Sequence, residues 1–170
     1  MISKTGLQNP GSRQINKLHS NFTLCFSSIA QQPCSRGWSW NFATTHCYKY
    51  NSSIKLSWPD AHRHCLSEGG YLVKVDSFDE NIFLKNVIKS VSWIGAFREV
   101  ITGTKTFVWS FNWQPLNFTN WGRGEPNNWR SNESCGQMFT SGKWNDIDCR
   151  NLLSFVCEKG SWLQNWNHDK

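Results

Sequence analysis

The chain has 170 residues, long enough for one domain with a sizeable core and loose ends, and its eleven Trp and eleven Phe point to a core of rings. Helix formers are scarce and turn residues plentiful, which favours a loop-rich α+β domain over a helix bundle. The net charge of +6 is spread over single Lys and Arg residues, without the basic block or RNA-binding signature that would mark a nucleic-acid partner, and no stretch approaches the ~20 apolar residues of a membrane span.

In chain order, residues 1–33 are polar and aperiodic and read as a loose N-terminal extension. They contain no apolar signal core, so the cellular setting has to be read from elsewhere. Seven cysteines (25, 34, 47, 65, 135, 149, 157) form no C-x-x-C pair, which argues against zinc ribbons and thioredoxin-type motifs. Four N-x-[ST] sequons, at Asn21, Asn51, Asn117 and Asn132, accompany them. Together they indicate an oxidising, extracellular or secreted setting.

The compact domain is expected over 34–159, with 160–170 as a tail. CSRGWSWNFATTHCYKY alternates aromatics in the manner of strands. In SWPDAHRHCLSEGG, Ser57 and Asp60 form a capping box, Trp58, Ala61, Cys65 and Leu66 share a face, and Gly69-Gly70 ends the helix. SFDENIFLKNVIKS repeats the device with Ser77 and Glu80, burying Phe78, Ile82, Leu84, Val87 and Ile88. YLVKV, WIGAF, TFVWS, CGQMF and FVCE read as short strands. Residues 111–134 carry Pro115, Gly122, Gly124 and Pro126 without any period, and a loop of that length in a compact domain is usually functional.

The run EPNNWRSNESCGQMFTSGKWND (125–146) is crowded with side-chain oxygens. Taken alone it reads as a solvated loop. Its frame changes the reading: Cys34-SRGW, Cys47-Tyr48, the Cys65 helix, WIG at 93–95, Glu125-Pro126-Asn127, Trp144-Asn145-Asp146, Cys149 and FVC at 155–157 stand in order. This set resembles the C-type lectin-like domain in its long form, across about residues 34–159. The resemblance implies a double-loop fold with two helices, short antiparallel sheets and a long calcium-binding loop. It also implies three disulfides, Cys34–Cys47, Cys65–Cys157 and Cys135–Cys149. Cys25 is left over, either as a free thiol or as a link between two copies in a homo-oligomer.

In that family Glu125, Asn127, Glu133, Asn145 and Asp146, the last with its carbonyl as well, would hold one Ca2+ and share it with two neighbouring sugar hydroxyls. The bond before Pro126 is cis in the family. The Glu-Pro-Asn order accompanies mannose, N-acetylglucosamine, fucose and glucose, so glycans ending in mannose-like sugars are the expected partners. Relatives with a second, auxiliary calcium carry acids where this chain has Arg98, Thr102 and Ser134; a single ion is therefore expected here. Trp129 occupies the region where galactose binders place a stacking ring, but the glycine-rich segment that positions that ring is replaced by RSN. A glycan on Asn132 would crowd Glu133, so Asn21, Asn51 and Asn117 are the better candidates.

Trp38, Trp58, Trp93, Trp109 and Trp144 are expected in the core. His62 and His64, two apart on a helix, face different ways and form no metal pair. No Ser-His-Asp or Cys-His arrangement is suggested, so an enzyme is not expected. The competing reading is a non-sugar module of the same fold, binding a protein, ice or mineral surface with calcium merely structural.

Overall fold

The computed structural model describes residues 33–100 and 106–160. Asn21, Cys25, Thr102 and the 161–170 tail lie outside them. The alternating aromatics at the start of the domain pair β1 (Ser39–Asn41) with β2 (His46–Leu56), setting Trp40 opposite Cys47. Helix α1 (Trp58–Ser67) starts where expected: the Ser57 hydroxyl accepts from the Asp60 amide at 3.4 Å, and donates to its carboxylate at 2.5 Å. Strand β3 (Tyr71–Leu72) leads to α2 (Phe78–Val87), capped by Ser77. The rest is sheet: β4 (Ser92–Arg98), β5 (Phe107–Trp109), β6 (Cys135–Met138), β7 (Trp144–Ile147) and β8 (Leu153–Gly160).

All eight strands join one sheet in the order β1-β2-β8-β4-β6-β7, with β3 on β8 and β5 on β4. The expected short antiparallel sheets are thus a single sheet, and β4 runs parallel to β8 where Ser92 faces Ser154. WIG at 93–95 needs its glycine, because a Cβ on Gly95 would stand 2.5 Å from the Leu72 carbonyl oxygen. The core is built from rings as the composition implied: Trp93, Trp109, Trp144, Tyr48 and Phe155 are the largest fully buried side chains. Trp58 is also buried, whereas Trp38 is only half-buried.

Three bridges close the domain, Cys34–Cys47, Cys65–Cys157 and Cys135–Cys149. The second spans 92 residues, a closure worth ~4–5 kcal/mol against the unfolded chain, against ~3 kcal/mol for each short one. The long bridge staples α1 to β8; the short ones pin local turns.

The helices differ from expectation in which residues they bury. Leu66, Phe78 and Ile82 are exposed, and the inner face of α2 is instead Glu80, Asn81 and Leu84. Asn81 explains the exchange: its Oδ1 accepts from Trp144 Nε1 at 2.8 Å and its Nδ2 donates to the Gly142 carbonyl at 3.1 Å. Glu80 accepts from Tyr48 Oη at 2.6 Å and from the Asp76 amide at 2.8 Å. Polar residues take the core face because buried donors from distant strands require them. His62 stacks on Trp58 and His64 sets its edge on Phe155, so the two do diverge.

Burial, reinforced by the Glu158 carboxylate, pushes the Glu80 carboxyl up from its ordinary 4.5 to about 7. A folded-state value above the unfolded one gives stability that is complete below pH 4.5 and is lost as pH rises through about 7. His46 is raised by its hydrogen bond to Glu158 and works in the same direction. Glu80→Gln, a permanently neutral isostere, is therefore expected to gain stability relative to wild type between pH 5 and pH 8, by on the order of 2 kcal/mol. Urea melts of both proteins at the two pH values check this; a difference that does not grow with pH refutes it.

Candidate functional site

The long loop after β5 returns to the sheet at its far edge. Trp144 donates its amide N–H to the Asn120 carbonyl at 3.0 Å, and Gly122 donates to the Trp144 carbonyl at 2.8 Å. Trp121 packs edge-on to the Trp144 ring. From this anchor the chain enters a turn closed by the Glu125 amide on the Gly122 carbonyl, and the Glu125–Pro126 bond is cis.

Beyond the proline the loop backbone is held by carboxylates. The Asn127 amide donates to Asp146 Oδ1 at 2.9 Å and to Glu125 Oε2 at 3.1 Å; its side-chain Nδ2 donates to Glu125 Oε1 at 2.9 Å. The Asn128 amide donates to Asp146 Oδ2 at 2.9 Å. Asn128, Arg130 and Ser131 all lie in the left-handed region, and the turn is fixed from both sides. The Trp129 amide donates to Glu133 Oε2 at 2.9 Å, and the Glu133 amide donates to Asn128 Oδ1 at 3.1 Å. On β7, Asn145 Nδ2 donates to the Asp146 carbonyl at 2.5 Å.

Glu125, Asn127, Asn145 and Asp146 thus form one hydrogen-bonded group, and Glu133 joins it through Asn128. Asp146 is fully buried, Glu125, Glu133 and Asn145 are half-buried, and Asn127 is exposed. Desolvation and the neighbouring Asp146 carboxylate raise the Glu125 carboxyl above its ordinary value. Two acids crowded at one spot favour a cation between them. Among the described residues no group of three His, Cys, Asp or Glu side chains is placed to hold a metal, so any oxygen set here would draw on amide and carbonyl oxygens as well.

Sequence reasoning missed two members. Arg98 was read only as a lost acid; its Nη2 donates to Asp146 Oδ2 at 2.8 Å. Asn128 braces the loop with both its amide and its side chain. A tolerance of Asn for the left-handed region was the one available signal for it. Trp129 is 60% exposed, with the Arg130 guanidinium 4.0 Å over its ring. It borders a cavity of about 340 Å3 shared with Glu133, Ile147 and Asp148.

Of the described sequons, Asn117 is exposed. Asn51 is not a usable site: it is buried, with its amide 3.5 Å from Cys157 Sγ, and a glycan there has no room. Asn132 is exposed but donates to Asp148 at 2.7 Å.

Fold, bridges and loop together define a protein of the C-type lectin class. A profile of the Lectin C-type domain matches residues 54–159, and the chain belongs to that family. It is 32% identical over 139 residues to human C-type mannose receptor 2, covering 79% of this chain and 9% of the receptor. It is 33% identical over 129 residues to the hepatic lectin of Gallus gallus, covering 75% of this chain and 61% of that one. The chain therefore spans less than two thirds of the length of either relative. Among solved structures, the carbohydrate-recognition domain of cow CD23, crystallised in the presence of a GlcNAc2Man3 oligosaccharide, superposes with a TM-score of 0.68 at 35% identity, covering 75% of this chain and 96% of that one. Herring type II antifreeze protein superposes with a TM-score of 0.64 at 27% identity, covering 75% and 98%. Members of this family are binding proteins rather than enzymes, and C-type lectin domains generally bind calcium.

The structure changes what one obvious mutation tests. Asp146→Ala removes a proposed calcium ligand, but it also removes the acceptor of two loop amides and strands the Arg98 guanidinium. It is expected to cost about 3–5 kcal/mol of stability even in calcium-free buffer. Asn145→Ala, whose side-chain amide donates to the neighbouring Asp146 carbonyl, is expected to stay within about 1 kcal/mol of wild type. Denaturant midpoints in chelator distinguish the two, and equal midpoints would contradict the structural role of Asp146.

Proposed function

We propose that this domain is a calcium-dependent lectin of mannose-type specificity, acting outside the cell in glycan recognition, innate defence or adhesion. One observation carries the reading: the Asn127 amide bonds both Glu125 and Asp146, gathering carboxylates 21 positions apart at one end of the fold. Glu125, Asn127, Glu133, Asn145 and Asp146, the last with side chain and carbonyl, would hold one calcium, a hard cation that takes oxygen ligands. Bound there, the ion supplies coordination for two neighbouring sugar hydroxyls.

Selectivity then falls to the side chains around it. Glu125 and Glu133 accept hydrogen bonds from the hydroxyls, and the Asn127 and Asn145 amides donate to them. The order acid-then-amide across Pro126 suits mannose, N-acetylglucosamine, fucose and glucose. Little apolar area is covered, so one site binds one sugar weakly and useful avidity needs several sites. The antifreeze relative supports a second reading, in which the same fold meets a non-sugar surface.

Retention on mannan beads in calcium separates the two. The lectin reading expects elution by mannose and by chelator but not by galactose. No retention, with calcium still raising the melting temperature, would sink it in favour of a structural ion. Glu125→Gln with Asn127→Asp exchanges acid and amide across Pro126 and is expected to move preference toward galactose. Retention is also expected to fall on acidification, because protons compete with the cation for three carboxylates; binding that is flat from pH 7 to pH 4.5 would contradict it.

A further inference from the structure

Arg98 ends β4 with its side chain nearly enclosed, 14% exposed, against the fully buried Asp146. Its Nη2 donates to Asp146 Oδ2 at 2.8 Å, and its Nε donates to the Glu133 carbonyl at 3.3 Å. The guanidinium carbon lies over the Phe107 ring, 4.6 Å from its centroid. One side chain thus ties three separate segments: the end of β4, the loop at Glu133, and β7. Asp146 passes the connection on, since its two oxygens accept the Asn127 and Asn128 amides. The contacts thus run without a break from Phe107 through Arg98 and Asp146 to the loop backbone.

The fork geometry matters. A guanidinium presents donors in two directions from one plane, so it can hold a carboxylate and a carbonyl at once while its face packs on a ring; a lysine ammonium cannot do all three. Charge balance points the same way. Glu125, Glu133 and Asp146 bring three negative charges, which Arg98 and one divalent ion cancel. A second divalent ion would leave the site strongly positive around a neutral ligand.

We propose that Arg98 is a positioning residue, a built-in cation that fixes Asp146 and the 125–134 loop before a ligand arrives and limits the site to one divalent ion. The single-ion part rests on the lectin reading above; the loop-holding part does not.

Amide hydrogen exchange on the full chain, read residue by residue in chelator and in calcium, tests it. In wild type the Asn127 and Asn128 amides are expected to stay protected in chelator, within about tenfold of their rates in calcium. Arg98→Gln is expected to speed both by more than about tenfold in chelator while β8 amides are unchanged, and Arg98→Lys to restore part of the protection. Wild-type amides at free-peptide rates in chelator would overturn the proposal, as would an Arg98→Gln protein indistinguishable from wild type. If Arg98→Gln fails to fold, β8 amides accelerate as well, and the wild-type and Lys arms decide. Calcium titration of wild type is expected to give one ion per chain, and two would refute the limit. Absence of mannose binding would end the lectin reading without altering the exchange result.

Discussion

A carboxylate removed from water must find donors for its oxygens, and the carboxylate of Asp146 is fully buried. Its donors are two backbone amides of the long loop and the guanidinium that ends β4. Because both amides come from consecutive residues just past Pro126, satisfying this one acid fixes where the loop crosses the sheet edge. The directions in which Glu125 and Asn127 point follow from that crossing. The loop has almost no regular structure of its own, so its shape derives from a side chain on the strand beneath it.

That strand is itself held from behind. Trp144, two residues before Asp146, is fully buried among Trp109, Phe118 and Trp121, and its indole N–H ends on Asn81 of α2. Alternation along β7 sends Trp144 and Asp146 inward and leaves Asn145 and Ile147 half-exposed. A register slip of one residue would put Asn145 in the position of Asp146 and leave Arg98 without its carboxylate. The Cys135–Cys149 bridge, from β6 to the turn just after β7, opposes such a slip. Core packing and site geometry are therefore two faces of one four-residue strand.

What was legible in the sequence was what depends on neighbours in the chain. Ser57 and Ser77 announce their helices because a cap bonds three residues ahead, and the strands show in their aromatic alternation. The disulfide pairing was not legible from spacing and came only with the family resemblance. Leu66, Phe78 and Ile82 misled because apolar periodicity assumes that the core face of a helix is apolar. Here Glu80 and Asn81 are needed inside to meet Tyr48 and Trp144, partners 32 and 63 positions away. The bond from Arg98 to Asp146 was illegible for the same reason: the partner lies 48 positions on. Asn51 looked like a surface sequon because nothing local reports that the Cys65–Cys157 bridge lies over it.

The residues proposed to meet a ligand divide unequally between folding and recognition. Asp146 is tied into the scaffold on every side, so its identity is constrained by the fold whatever the domain binds. Glu125, Asn127 and Asn145 bond mainly to one another and to backbone at the rim; changing them alters donor and acceptor order without exposing a buried charge. A scaffold arranged in this way can keep its disulfides, its ring core and its buried acid while the rim turns from one hydroxyl pattern to another, or away from sugars altogether. The similarity of this one chain to both an oligosaccharide-associated recognition domain and an antifreeze protein fits that division.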